Sequence, residues 1–428
     1  MHSEQQFRNL ISRTISRAAT VALAIATVFA LTVVLTQSAH AQTFKVIHTF
    51  TGGADGAIPD AGLTMDRAGN LYGTASAGGS YGAGTVFKLS HRGSDWVFTP
   101  LYSFQGLPDG ADPEASVVFG SDGSLYGTTY SGGLKDCYYG MATCGTVFNL
   151  KPYPTACKTA LCGWQETVLY RFTGDNNSNP TGLIFDPAGN MYIAMQGVRE
   201  EPSVVKLEPS NGGWQETNNC EVPDSGGNSV SGVILDATGN LYGVESWGGA
   251  YEQGYVFQLN MSGGCLWNLL YTFQGGSDGE GPQGSLIFDN VGNLYGTTFA
   301  GGEGGGGTVF ELLPSNGNWT FSLLYSLTGG EGPGASLTMD AVGNLYGTTF
   351  GGGAYAAGSV FKLTPSGGGW TYTDLHDFTG GSDGEAVSSN VTLDANGNLY
   401  GTAAWGGDTS GDCHGLVGCG TVWEITFP

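Results

Sequence analysis

Alternation of apolar and polar side chains dominates this chain. From Trp319 to Leu327, the residues Trp319, Phe321, Leu323, Tyr325 and Leu327 alternate with Thr320, Ser322, Leu324 and Ser326. A period of two places the first set on one face of an extended strand. The same stripe recurs at Trp96, Phe98, Tyr102 and Phe104, and again at Trp164, Val168, Tyr170 and Phe172. Three shorter β-like runs precede the Trp319 stripe, at Ser285–Asp289, Asn293–Phe299 and Thr308–Leu312. Glycine-rich punctuation separates them.

This unit repeats. The phrase Asp-x-x-Gly-Asn-Leu-Tyr-Gly-Thr recurs with its tyrosine at Tyr72, Tyr126, Tyr192, Tyr242, Tyr295, Tyr346 and Tyr400, at spacings between 50 and 66 residues. Seven copies of four strands, with no helical period, predict an all-β, seven-bladed propeller with four antiparallel strands per blade. A solenoid would carry capping units at its ends, and the copies show none. Phe44–Phe50 matches the fourth strand of a copy, whereas the last copy stops after its third, Thr421–Thr426. The N-terminal strand is therefore expected to complete the final blade and remove an open edge. In the repeated turn, Asp66, Asp186, Asp236, Asp289, Asp340 and Asp394 are placed to accept bonds from turn amides, and the glycine three residues on is free to take a positive φ.

Residues 1–41 read as an export signal. Arg8, Arg13 and Arg17 precede an apolar run from about Ala18 to Leu35, followed by Ala39-His40-Ala41. Cleavage there would leave residues 42–428 as a single propeller domain without a transmembrane segment. Retention of the run as a membrane anchor is the competing reading. The expected location is outside the cell or in its envelope.

Composition sharpens this. The 428 residues include 75 glycines, a density that without a collagen-like period usually marks disorder. Here the glycines lie among tyrosine, phenylalanine, tryptophan and valine, which suits a folded, turn-rich β protein. The net charge of −23 would repel phosphates, so nucleic acid is excluded as a partner. Strong acidity instead suits cationic partners.

Gly-Asn-Leu-Tyr-Gly-Thr-Thr, a Gly-Gly loop and Gly-Thr-Val-Phe-x-Leu together resemble the GloVer tandem repeat of secreted bacterial proteins, over roughly residues 44–427. Members are described as choice-of-anchor proteins. The resemblance implies export and a surface or extracellular life, and it implies no known activity. The Asp turn is also similar to turns of NHL-type and gluconolactonase-like propellers. That similarity implies that the run before the Asp turn is innermost in each blade and the tryptophan-led strand outermost.

Eight cysteines in an exported chain favour disulfides. Cys137 with Cys144, and Cys413 with Cys419, have matching surroundings and would each clip the loop between second and third strands. Cys157 with Cys162 would close the insertion in the second copy. Cys220 and Cys265 fall at the end of one outer strand and the start of the next, whose ends are expected to be well separated. A bond there is disfavoured, because it needs Cα atoms within about 7 Å.

Two loop types should share one face. The loops between blades carry one acid each: Asp55, Asp109, Asp175, Asp224, Asp278, Glu331 and Asp383. Glycine flanks suit a turn aspartate in a solvated loop. The same carboxylates, Asp55, Asp109, Asp278 and Asp383 in particular, are the candidate ligands of a calcium ion. The loops between second and third strands carry Trp247, Trp405, Tyr130, Phe299 and Phe350, which would either pack between blades or stack on a ligand. The third copy departs from the pattern: Tyr192-Ile193-Ala194-Met195 replaces Tyr-Gly-Thr-Thr, and its loop carries Arg199, Glu200 and Glu201. That departure marks either a binding notch, with Arg199 as a candidate contact, or neutral decay. His48 and His376 occupy positions held elsewhere by Tyr102, Tyr170, Tyr271 and Tyr325, and read as outer-strand packing residues. Motifs of nucleophilic, zinc or phosphate-binding sites are absent. The leading expectation is a monomeric, non-catalytic binding or interaction protein whose partner is a glycan, a protein or an envelope component. A metal-dependent hydrolase of the lactonase type is the second reading, and a structural or adhesive surface protein the third.

Overall fold

The computed structural model describes residues 42–135, 137, 144–153, 163–174, 178–196, 202–223, 230–261, 264–330, 332–408, 412–413 and 416–428. Residues 1–41, expected to be an export signal, Arg199, the expected Cys157–Cys162 pair, Asp175, Asp224 and Glu331 lie outside the described residues.

Seven four-stranded antiparallel sheets follow one another along the chain. In the fifth, Glu280–Phe288, Leu294–Ala300, Gly305–Ser315 and Asn318–Thr328 pair in sequence order. The seventh blade is composite, with the order Thr392–Leu393, Leu399–Ala403, Thr421–Thr426 and, outermost, Thr43–Thr49. Closure is reinforced across the seam. The Thr402 hydroxyl donates to the Ala61 carbonyl at 2.9 Å and Thr392 to that of Leu63 at 2.6 Å.

Within a blade, the glycine of Leu-Tyr-Gly exists to admit a ring. Gly296 pairs with Phe310 across the second and third strands, and a Cβ on Gly296 would meet the Phe310 ring at 2.5 Å. The last blade uses Gly401 against the larger Trp423. In the third blade the pair is exchanged for Ile193 opposite Val205, both fully buried. A small-plus-large pair has become two medium residues, which conserves filled volume. At these positions the third copy is repacked rather than eroded.

Between blades, a second repeated contact does the joining. Asp236 accepts hydrogen bonds from the Thr238 and Asn240 amides at 2.8 and 2.9 Å, from Asn240 Nδ2 at 2.8 Å and from the Tyr242 hydroxyl at 3.1 Å. The Tyr242 ring then meets Phe288 and Trp319 of the next blade edge-on, at 5.2 and 6.1 Å between centroids. Tyr72 does the same with Phe119 and Trp164, and Trp96 meets Tyr400 across the seam at 5.7 Å. The second blade has Gly120 where the others have aspartate. There Asp122, two positions on, accepts from the Ser124 amide at 3.0 Å and from the Tyr126 hydroxyl at 3.4 Å.

Disulfides join Cys137 to Cys144 and Cys413 to Cys419, with Cα atoms 6.0 and 5.2 Å apart. The expectation for Cys220 and Cys265 is overturned. They are bonded, with Cα atoms 5.4 Å apart, and link the third blade to the fourth. The reason is sheet twist. Three strand-to-strand steps of roughly 20–25° each turn the outer strand strongly relative to the inner one. The end of Gly213–Glu221 thus reaches the start of Leu266–Thr272, where Asn218 also donates to the Met261 carbonyl at 3.1 Å.

Asp236→Ala removes an acceptor of five bonds and releases the tyrosine that holds the next blade. It should lower unfolding stability by about 2 kcal/mol, read from urea titration. Asp236→Asn should lose less, because its side-chain oxygen still accepts.

Candidate functional site

The chain direction within each blade puts two loop types on one face. Among the described residues, four acid-bearing loops between blades support the Gly-Gly turn of the blade that follows: the Gly79 amide donates to the Gly53 carbonyl, Gly133 to Asp109, Gly302 to Gly276 and Gly407 to Gly381, at 2.6–2.8 Å. The acids accept bonds inside their own loops, although Asp109 Oδ1 and Asp278 Oδ1 are buried without a hydrogen-bond partner. Asp55 accepts from the Thr51 amide at 3.0 Å and lies 3.4 Å from His48 Nε2. Asp109 accepts from the Tyr102 hydroxyl and the Gln105 amide at 2.9 and 3.0 Å. Asp278 repeats this with Tyr271 and Gln274, at 2.8 and 2.9 Å. Asp383 does so with the Thr379 amide at 2.9 Å and His376 Nε2 at 3.4 Å. Each acid therefore faces the residue seven positions upstream on its outer strand, a hydroxyl bond from Tyr102 and Tyr271 and an ion-pair distance to His48 and His376. His48 stacks on Phe98 at 3.9 Å and His376 on Phe44 at 3.6 Å. Burial pushes the Asp55 carboxyl up, but the bonds from His48 and Thr51 outweigh it and hold the group below its ordinary range. The structure does not gather Asp55, Asp109, Asp278 and Asp383. Among the described residues, no group of three or more His, Cys, Asp and Glu side chains is arranged to hold a metal ion.

Two other acids do share one space. The innermost strands surround a central channel of about 320 Å³, lined by Asp60, Glu114, Thr181, Ser231, Gln283 and Ser388 among others. Asp60 and Glu114 follow Pro59 and Pro113, at the same step of neighbouring blades. Asp60 accepts from the Ser76 hydroxyl at 3.0 Å, at the end of the channel that bears the Gly-Gly turns. The chain enters there in an unfavourable conformation: Ile58 has φ 59° and Asp112 φ 55°. Burial pushes the Asp60 carboxyl up to about 6. Burial, then the negative charges of Asp60 and Asp112, push Glu114 up to about 7. Glu114 is open to water in the channel, which screens part of that effect.

The five aromatics singled out by sequence divide. The Tyr130 hydroxyl donates to Gln196 Oε1 at 2.5 Å, which ties the second blade to the third. Phe350 and Trp405 meet edge-on between the sixth and seventh blades at 5.6 Å. Phe299 is half-buried, whereas Trp247 is 55% exposed. Sequence reasoning missed Tyr81, Tyr251 and Tyr355, which are 63%, 53% and 64% exposed. Their signal was the recurring Gly-Gly-x-Tyr. It missed Asp60 and Glu114 too, whose only mark is the preceding proline.

The model of the Gloeobacter/Verrucomicrobia repeat matches residues 24–215 and 193–414. No curated protein matches the sequence. Solved structures resemble the fold at low identity. A polysaccharide lyase described as an ulvan lyase has a TM-score of 0.53 and 11% identity over 89% of this chain and 95% of its own. A protein from Lactobacillus plantarum has a TM-score of 0.52 and 12% identity over 78% and 88%. A gluconolactonase from Xanthomonas campestris has a TM-score of 0.38 and 14% identity over 61% and 75%.

The raised carboxyl pKa values make a signed prediction. A group held above its unfolded pKa supports the fold below that unfolded value and loses this support as pH rises through the folded one. Glu114→Gln should therefore raise the melting temperature at pH 8 and leave it nearly unchanged at pH 4. Melting curves across that range check this, and an equal effect at both pH values would contradict it.

Proposed function

The chain belongs to the Gloeobacter/Verrucomicrobia repeat family, and we propose that it is a non-catalytic propeller that binds an uncharged glycan on the face bearing its Gly-Gly turns. One observation carries this reading. Of the five strongly exposed aromatic side chains among the described residues, Trp247, Tyr81, Tyr251 and Tyr355 lie at these turns, and Tyr153 alone lies elsewhere. Exposed rings cost solvation free energy and here serve no contact within the fold. A flat ring with one polar edge is suited to stacking on the apolar face of a sugar while bonding its hydroxyls.

Charge narrows the class. The ulvan lyase that shares this fold was solved with -[GlcA(1-4)Rha3S]-, a carboxylated and sulfated chain. This protein has a net charge of −23, and Asp60 and Glu114 line its channel, with the charge of Asp112 acting on Glu114. Such a polyanion would be repelled, so a neutral sugar is the better fit. The channel supplies hydroxyl, amide and carboxyl groups able to orient one.

Trp247→Ala should weaken binding of neutral oligosaccharides at least about tenfold, with the melting temperature unchanged because the ring is exposed. Calorimetry against cello-, xylo- and manno-hexaose checks this. Unaltered affinity in the variant, or no binding by the parent protein, would refute the reading.

A further inference from the structure

Four blades share one seven-residue turn between their second and third strands. In the first, Gly82 donates to the Gly79 carbonyl at 3.2 Å and Gly84 to Gly78 at 3.0 Å. The fourth repeats this with Glu252 to Gly249 and Gly254 to Gly248, at 3.3 and 3.2 Å. The sixth uses Ala356 to Gly353 and Gly358 to Gly352, at 3.3 and 3.0 Å. The fifth uses Gly305 to Gly302 and Gly307 to Gly301, at 3.2 and 3.0 Å. The turn is closely seated: a Cβ would meet backbone at 2.8 Å on Gly78 and on Gly301, and the Thr349 hydroxyl at 2.6 Å on Gly352. At its tip stand Tyr81, Tyr251 and Tyr355, with Gly304 in the fifth blade. The residue after the tip is left-handed, at a cost for Glu252 (φ 57°) and Ala356 (φ 56°) that glycine would avoid. These phenols make no hydrogen bond or ring contact among the described residues.

We propose that Tyr81, Tyr251 and Tyr355 are a second, dispersed set of stacking platforms, distinct from Trp247 and specific for long neutral polysaccharides. The inference rests on the reading that this face binds glycan, and extends it from short sugars to polymers. Three features of the turns select that ligand. The tips belong to the first, fourth and sixth blades, so no two adjoin and one ligand touching two must cross an intervening blade. Identical side chains on equivalent turns match a ligand that is itself repetitive. Tyr81 and Tyr355 stand among glycine, alanine and serine, and Tyr251 beside Glu252 and Gln253, so none extends a continuous apolar area of the size that a folded protein partner requires. The acidic surface excludes polyanionic chains, as before.

Single stacking contacts are weak, and their joint effect comes from a high effective concentration once one is made. Removal of all three rings should therefore cost polymer binding much more than oligosaccharide binding. The test compares the full chain with Y81A/Y251A/Y355A and Y81F/Y251F/Y355F. The probes are hydroxyethylcellulose, arabinoxylan and galactomannan in native affinity gels, and the matching hexasaccharides by calorimetry. The expected result is at least about tenfold weaker polymer retention by the alanine variant, a clearly smaller loss of hexasaccharide affinity, and retention preserved in the phenylalanine variant. Exposure of the rings predicts unchanged melting for both. Polymer retention equal to the parent's in the alanine variant would overturn the proposal while leaving oligosaccharide binding through Trp247 intact. Failure of the parent protein to bind any polymer or hexasaccharide would remove the glycan reading itself.

Discussion

The bond between a turn carboxylate and a tyrosine hydroxyl governs how this molecule is assembled. Taken alone, each blade is a small sheet with two faces to bury. The Asp236 type of turn holds the tyrosine of its own blade so that the ring presents its edge to the phenylalanine and tryptophan of the next. Burial pushes Asp66, Asp186, Asp236 and Asp340 up, yet the donors around them outweigh it and hold these groups below the ordinary carboxylate range. The charged form is thus the one the fold uses. The second blade has lost the usual aspartate and recovers the bond through Asp122. Recovery at a different position indicates that the tyrosine contact, rather than the motif, is the constraint.

One face of the disc is thereby committed to joining blades, and the opposite face carries the variation. Glycine builds its turns, and backbone hydrogen bonds seat each turn on the preceding loop. The loop acids, which a charge count alone would gather into a cation site, accept instead from hydroxyl and amide donors close in sequence. What remains available there is the channel with Asp60 and Glu114, together with the rings that nothing in the fold covers. Among the described residues, two disulfide clips lie in loops of this variable side, and a third bond staples the third blade to the fourth.

Much of the fold was legible because the repeat encodes contacts that are local or recur at a fixed spacing. Alternation gave the strands, the Asp turn gave their order, and the incomplete final copy gave the pairing of Thr43–Thr49 with Thr421–Thr426. Features that depend on the neighbouring blade were hidden. The Cys220–Cys265 bond follows from accumulated twist, which no spacing records. The exchange of glycine and phenylalanine for Ile193 and Val205 reads as loss until the register sets the two residues opposite one another. Asp60 and Glu114 are 54 residues apart and meet only because the inner strands surround one channel. The tyrosine tips, by contrast, were visible as Gly-Gly-x-Tyr and were passed over, because a single exposed tyrosine carries no pattern until its equivalents are aligned.

The central claim is that this scaffold keeps one face closed for assembly and leaves the other open for a ligand. Hydrogen–deuterium exchange of the full chain, with and without a soluble neutral polysaccharide such as galactomannan, tests it directly. The account predicts slower exchange confined to the turns at residues 78–84, 246–254 and 352–358, with the aspartate turns of the opposite face unchanged. Protection of the aspartate turns, or no protection anywhere with any neutral polysaccharide, would contradict it.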